Sequence, residues 1–474
     1  MTAALFPAAA TRHAIDAGLG ELLAAAESSV FAGPVVPTLQ RPALAEALAQ
    51  FDFEMPVPME IVLPWVVHAL STGIVHINHP RYFGLFNPTP TFAAQCADRV
   101  VAAFNPQLAT RTTSPAAVDI ERHVLMALAL RLGLPEHARG SFTTGGAEAN
   151  YTAVLLALCR LTREFAAHGA RGLPGDPVLY ASRDSHLGWI KIARQAGLGH
   201  EAVRLVATDG FGRMDRHALA DAIGDDRAMG RLPFLIAATA GTTNAGMIDP
   251  LNACAALAAQ HEMWFHVDAA WGGALMASPR HRGALAGIER ADSVTVDAHK
   301  WFATTMGCGV FLTCHPQLLS TAFHVATSYM PSNDEAVDPF VTSVQWSRRF
   351  LGLRLFVSLA VAGWDGYAEH VEHALTLAAG LASRLAAQGW LIVNDSPTAV
   401  VCATHPLHDD VNPIVRHVLD SGRAWISAAS FEGCPVIRMC VTSGLTTSAD
   451  IDELASALTQ AEVATRKKGV DSDG

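Results

Sequence analysis

The sequence predicts an α/β protein: a large domain around a mostly parallel sheet, a smaller α+β domain after it, and a helical segment in front. Three observations carry this. Short apolar runs alternate with helix-like stretches through the middle of the chain, the signature of βα units whose sheet is covered on both faces. From about residue 351 the alternation gives way to two long helical stretches with a few strands between them. The first 75 residues hold Ala- and Leu-rich segments and no strand-like run.

In chain order, AIDAGLGELLAAAESSVF, ALAEALAQFDF and MEIVLPWVVHALSTGIV make the helical segment 1–75. The large domain, 76–350, holds the helix-like AVDIERHVLMALALRLGL, then SFTTGG, then the long helix of AEANYTAVLLALCRLTREFAAHG. Strands PVLYAS, AVRLVAT and PFLIAATAGTT alternate with helices HLGWIKIARQAG, RHALADAIGDDRAMG and LNACAALAAQHE, and WFHVDAA and SVTVDA close the series. In 351–474 the helical FVSLAVAGWDGYAEHVEHALTLAAGLASRLAAQG and a helical tail enclose strands WLIVND, TAVVCATH and PVIRMCVT. The last residues, GVDSDG, read as a frayed end.

The 474 residues are half hydrophobic, enough for a large core. Net charge is −11 and no stretch concentrates Lys and Arg, which argues against nucleic acid or an anionic membrane as a partner. Eight cysteines lie far apart without a CxxC pair, as in a reduced, cytoplasmic protein. The N-terminus lacks a basic stretch followed by a long apolar one, so no signal peptide is expected. The longest apolar runs, such as AVLLAL, are too short for a bilayer.

Ligands of such sheets bind beyond the carboxyl ends of the strands, and four polar groups stand there. SFTTGGAEANY (141–151) runs two glycines into a helix, whose free N–H groups and dipole favour an anion. HVDAAWGG (266–273) ends a strand on Asp268. SRDSHLGWIKI (182–192) places His186 after a strand, and SVTVDAHKWF (293–302) ends a strand on Lys300, a residue rarely buried without a task. Each alone has an ordinary structural explanation, as a cap or a satisfied polar residue. Together they supply an anion cradle, an imidazole, a buried acid and a reactive amine, which is what pyridoxal phosphate demands. No GxGxxG or GxxxxGK[ST] is present, so nucleotide binding is not indicated.

With HPRYFGLFN, TTGGAEAN, DSHLG, ATAGTTNAGMID, HVDAAWGG and DAHKW in this order, the chain resembles the pyridoxal-phosphate-dependent group II amino acid decarboxylases, the aromatic-amino-acid and glutamate decarboxylase group. The resemblance covers nearly the whole chain. It implies the fold type I, aspartate-aminotransferase-like architecture and a homodimer with active sites at the interface, the helical segment 1–75 wrapping the partner. It also implies that Lys300 bonds the cofactor aldehyde, that Asp268 pairs with the pyridinium nitrogen, and that His186 and Ala270 flank the ring. Gly146, Ala147 and His299 would hold the phosphate, with Thr243 near the phenolic side. A tyrosine on a loop 29 positions after the lysine carries the proton to Cα in that family, and Tyr329 stands at that place, with His186 in support. Phe83, Leu85, Phe86 and Asn87 would line the substrate pocket.

The expected reaction is decarboxylation of an L-amino acid to its amine and CO2, with a lean to an aromatic substrate from Leu85 and Phe86. Arg81, Arg348 and Arg349 could instead pair with an acidic side chain, so the glutamate, cysteine-sulfinate and diaminobutyrate branch stays open. Further alternatives are an aldehyde-forming decarboxylation with oxidative deamination, disfavoured by Tyr329, an aminotransferase of the same fold, and a silent cofactor-binding regulator, which the intact lysine, acid and histidine argue against. HINH, EHVEH and HPLHDD hold close histidine pairs of the kind that can ligate a metal. None has a recognised catalytic spacing, and their histidines are expected to be exposed or capping.

Overall fold

A computed structural model describes residues 5–38, 41–327 and 337–470. Seven strands form the main sheet: β1 (Arg139–Thr143), β2 (Pro177–Ser182), β3 (Val203–Val206), β4 (Leu232–Thr239), β5 (Trp264–Asp268), β6 (Ser293–Asp297) and β7 (Gly309–Thr313). Their spatial order is β1-β7-β6-β5-β4-β2-β3, and only β7 runs against the rest. The period of two along each strand sorts side chains between two helical layers. Leu179, Ala181, Leu235 and Ala237 pack on the side of the Gly146–Leu161 and Gly188–Gln195 helices. Val178, Tyr180, Ile236, Ala238, Val294 and Val296 belong to the core on the other side, with the Pro115–Arg131 and Leu251–Gln260 helices.

The sequence carries no strand expectation for β1 or β7, and for β1 glycine is the reason. Gly140 sits inside β1, where a Cβ would lie 1.9 Å from the Phe311 carbonyl oxygen of β7. Such a close approach removes the side chain that would have marked the strand.

A second, antiparallel sheet has the order β10-β11-β9-β8, built from β8 (Leu391–Ile392), β9 (Val400–Thr404), β10 (Ser427–Phe431) and β11 (Cys434–Cys440). The Leu353–Ala387 helix contacts the Pro115–Arg131 helix of the first region and β8, β9 and the Ser448–Val470 helix of the second. Gly363 (φ 63°) interrupts it. The Ala9–Ala32, Arg41–Ala49 and Met59–Gly73 helices bury no residue. Among the described residues no helix is long and apolar enough to cross a membrane.

The long helix also braces the turn after β6. Tyr367 Oη donates to the Phe302 carbonyl (3.0 Å), and His370 Nε2 lies 3.1 Å from the Trp301 carbonyl, to which it must donate. Burial pushes the His370 imidazole down to about 4. The unfolded chain takes that proton near pH 6.5. Stability from this group is therefore present above about pH 6.5 and lost as pH falls toward 4. His79 and His266 are lowered in the same sense, while Asp249, wholly buried and raised to about 6, acts in the opposite one. The thermal midpoint should fall less between pH 7 and pH 4.5 in His370→Gln than in the wild type. Equal falls would remove His370 as a source of acid sensitivity.

Candidate active site

The loop after β1 and the turns after β5 and β6 meet at one edge of the sheet. Gly146 opens its helix against the ends of the other two: a Cβ there would lie 3.0 Å from Asp297 Oδ2 and 3.4 Å from the Ala270 Cβ. Gly146 and Ala147 are the first helical residues, so their N–H groups have no acceptor within the helix. Gly309 gives this loop room, since a side chain there would meet Gly145 backbone at 2.7 Å. His299 faces the same loop: its Cε1 lies 3.5 Å from where a Gly145 Cβ would be, and its Nδ1 is held at Cys308.

Lys300 follows β6 on a tight turn, its N–H donating to the Asp297 carbonyl (3.1 Å). The turn closes through Ala303, which donates to the Lys300 carbonyl and holds a left-handed φ of 51°, a conformation non-glycine residues adopt at a cost. Lys300 Nζ pairs with Asp297 Oδ2 at 3.0 Å and lies 5.6 Å from the centre of the Phe86 ring. Asp297 is buried, and its Oδ1 has no hydrogen-bond partner among the described residues.

Asp268 ends the neighbouring strand. Its Oδ1 accepts the Ala270 N–H (3.1 Å) and its Oδ2 accepts the Asn150 amide (2.8 Å). Asn150 stands one turn after Gly146, so one helix end touches both carboxylates and the two strand ends that carry acid and amine. Lysine and acid therefore share one side of the sheet.

His186 follows β2 at the same edge of the sheet, its ring exposed and its Nδ1 accepting the Gly188 N–H (3.1 Å). Thr243 follows β4, half-buried, and its carbonyl accepts Arg438 Nε at 2.7 Å. Tyr329 lies outside the described residues. Of the expected pocket residues, Phe86 is nearly buried and begins an aromatic ladder with Trp271 (4.4 Å) and Trp301, the last two stacked at 9°. Leu85 is exposed and Asn87 contacts Met306. Phe83 is a correction: it has no exposed surface and belongs to the core, where its N–H donates to the Trp425 carbonyl (2.9 Å) and its carbonyl accepts the Cys440 N–H (2.9 Å).

The three arginines considered for an acidic side chain each have a carboxylate partner in the fold. Arg81 pairs with Glu453 (3.5 Å), Arg348 with Glu121 (2.6 Å) and Arg349 with Asp98 (3.1 Å). Sequence reasoning missed Arg438 instead. From β11 it reaches across to the Gly84 carbonyl (3.0 Å), stands 4.6 Å from the Phe86 ring, and keeps a buried Nη2 without a partner among the described residues. An arginine inside the apolar run PVIRMC was its signal. Asp297 and Asn150 were missed too; the acid closing SVTVD mirrors the one closing HVD.

Among the histidines expected to be exposed or capping, His76, His79 and His405 are buried and His370 is half-buried. His405 and His408 gather with Glu462, their ligand atoms within 4.8 Å of one another, on the second region. Arg466 already occupies Glu462 Oε1 at 2.6 Å.

A free-donor cradle, a turn-end amine and a bonded carboxylate at adjacent strand ends fit pyridoxal phosphate, whose phosphate, aldehyde and ring nitrogen call for those three groups.

Comparison with known proteins agrees. The pyridoxal-dependent decarboxylase conserved domain matches residues 52–404. The chain is 26% identical over 433 residues to the aromatic-L-amino-acid decarboxylase of Bacillus atrophaeus, covering 88% of each. It is 31% identical over 357 residues to the acidic amino acid decarboxylase GADL1 of Bos taurus, covering 74% of this chain and 67% of that one. The crystal structure of mouse CSAD superposes with a TM-score of 0.90 at 26% identity, over 96% of this chain and 99% of that one. Fold and site thus define a pyridoxal phosphate enzyme of fold type I. The chain belongs to the pyridoxal-dependent decarboxylase family, and its activity is that of an amino acid decarboxylase.

Proposed function

We propose that this enzyme decarboxylates an L-amino acid with an aromatic side chain, releasing the amine and CO2. One observation carries the substrate lean. Arg81, Arg348 and Arg349, the cations that could have received an acidic side chain, are each paired with a carboxylate of the fold. Arg438 forms no ion pair among the described residues, and its buried Nη2, without a partner among them, suits the α-carboxylate that every amino acid carries. Phe86, beside it, offers an apolar surface.

Gly146, Ala147 and His299 would hold the cofactor phosphate, Asp268 its ring nitrogen, His186 and Ala270 its ring, and Thr243 its phenolic side. Bound pyridoxal phosphate supplies an aldehyde for the amine and a cationic ring that accepts the electron pair left by CO2. Lys300 would supply the amine for that aldehyde, and Asp297, paired with it at 3.0 Å, would hold its ammonium form in the cleft. Arg438 orients the carboxylate. Tyr329, on its place in the sequence alone, delivers the proton to Cα with His186 in support.

We infer a homodimer from apolar surface early in the chain: Phe53, Phe92 and Phe104 are 92%, 78% and 82% exposed, and the three helices that precede Phe92 bury no residue. Eight free cysteines suit a cytoplasmic setting.

The test is a panel of the common amino acids with purified holoenzyme, scored for amine, aldehyde and CO2. Aromatic amino acids should give amine, and Tyr329→Phe should move product toward aldehyde. Turnover confined to acidic or diamino substrates would overturn the aromatic reading, and wild-type amine output from Tyr329→Phe would remove that residue from the mechanism.

A further inference from the structure

Strands β5 and β6 turn one face to the Gly146–Leu161 helix, and there they carry polar residues at alternate positions. Trp264, His266 and Asp268 follow one another along β5, and Ser293, Thr295 and Asp297 along β6. The register sets His266 beside Ser293 and Asp268 beside Thr295. His266 and Ser293 have no exposed surface.

The hydrogen bonds among them admit one direction. Trp264 Nε1 donates to Ser293 Oγ at 2.8 Å, since an indole N–H can only donate. Asn150 Nδ2 donates to Asp268 Oδ2 at 2.8 Å, since an ionised carboxylate can only accept. The Asn150 oxygen then faces His266 Nε2 at 3.0 Å, so that nitrogen carries the hydrogen. Burial lowers the imidazole to about 4 and keeps it neutral, which leaves a lone pair on Nδ1. That lone pair takes the hydroxyl proton of Ser293, 2.8 Å away. Every donor thus points toward Asp268, through Ser293, His266 and Asn150 in turn. The reverse order is closed, because the carboxylate has no proton to give and the indole no lone pair to receive one.

We propose that His266 is a positioning residue for the reaction, fixing through Asn150 the rotamer of the Asp268 carboxylate and the oxygen it presents to the cleft. The proposal rests on the decarboxylase reading, in which Asp268 holds the ring nitrogen of the cofactor. Aligned donors strengthen one another, and the bond to a charged acceptor at the end of the row gains most. His266 itself touches neither the cleft nor the reacting atoms. Its contribution is to lock the Asn150 amide, which without an Nε2–H partner is free to turn its oxygen toward the carboxylate and repel it.

Two readouts test this. In the apoprotein, the 15N spectrum of labelled histidine, assigned against His266→Leu, should show His266 as the Nε2–H tautomer; an Nδ1–H tautomer would overturn the relay. In cofactor titrations, His266→Leu should bind pyridoxal phosphate roughly 10–100-fold more weakly, the range typical of lost outer partners at metal ligands. kcat should fall similarly with substrate KM little changed, and His266→Gln, whose amide can still donate to Asn150, should recover most of the loss. Wild-type cofactor affinity in a folded His266→Leu protein would sink the idea. If that variant does not fold, Asn150→Ala, which leaves the Trp264, Ser293 and His266 bonds in place, carries the same expectation. Borohydride reduction of wild-type holoenzyme followed by peptide mapping separates the two levels. A label absent from Lys300 refutes the cofactor assignment itself, whereas a label on Lys300 with unchanged affinity in both variants refutes only the relay.

Discussion

Lys300→Ala loses at least ~10⁴-fold in turnover, the scale of removing a covalent participant that acts as part of a unit, and the absorbance of the lysine-bound cofactor disappears with it. The amine sits at the end of β6 with 22% of its side-chain surface exposed, close enough to water to exchange partners and held by Asp297 at 3.0 Å. The substitution also strips a buried carboxylate of its cation, so lost activity alone would not separate chemistry from stability. Lys300→Arg makes that separation. A guanidinium keeps a positive charge beside Asp297 but does not form the bond to an aldehyde under ordinary conditions. Lys300→Arg should therefore unfold closer to the wild-type temperature and remain inactive. An unchanged visible spectrum in Lys300→Ala holoenzyme would assign the bond to another amine.

Asp268→Ala comes next, with a loss in kcat/KM of about 10²–10⁴-fold, equivalent to the ~3–5 kcal/mol lost when one member of a buried charge pair is removed. The carboxylate is nearly buried, and it is satisfied on both oxygens by Ala270 and Asn150. Its charge therefore faces the cleft with its protein partners already in place. Asp268→Asn keeps the size and much of the hydrogen bonding while removing the charge. It should fall nearly as far as the alanine variant, measured at saturating cofactor. Wild-type kcat/KM in Asp268→Asn would mean that shape, not charge, is what the reaction draws on.

Much of this site was readable because strand ends are local features. PVLYAS, WFHVDAA and SVTVDA predict strands from a few consecutive residues, and the sheet follows from their alternation with helices. HVDAAWGG and DAHKW put an acid and an amine at two of those ends, and the fold then places them on adjacent strands. Phe83 shows where local reading fails: four neighbouring residues were assigned to one pocket, yet backbone bonds to Trp425 and Cys440, far along the chain, fix Phe83 in the core. Arg81, Arg348 and Arg349 fail for a different reason. Their partners are Glu453, Glu121 and Asp98, and for each pair the separation along the chain exceeds two hundred residues, beyond the reach of any spacing rule.

By itself the sequence determined the alternation of helices with strands β2 to β6, the loop that ends in free N–H groups, and the chemical types of the groups delivered to the sheet edge. Those depend on backbone preference and on the alternation of side chains, which neighbours along the chain decide. Only the tertiary structure decided which charges are spent on one another and which remain for a ligand. Arg438 arrives from the second sheet, Asn150 reaches over from a helix, and the ring nitrogens of His266 meet partners on that helix and on a neighbouring strand. Hydrogen bonds and ion pairs act over a few ångströms of space, and the fold sets those distances between residues far apart in sequence.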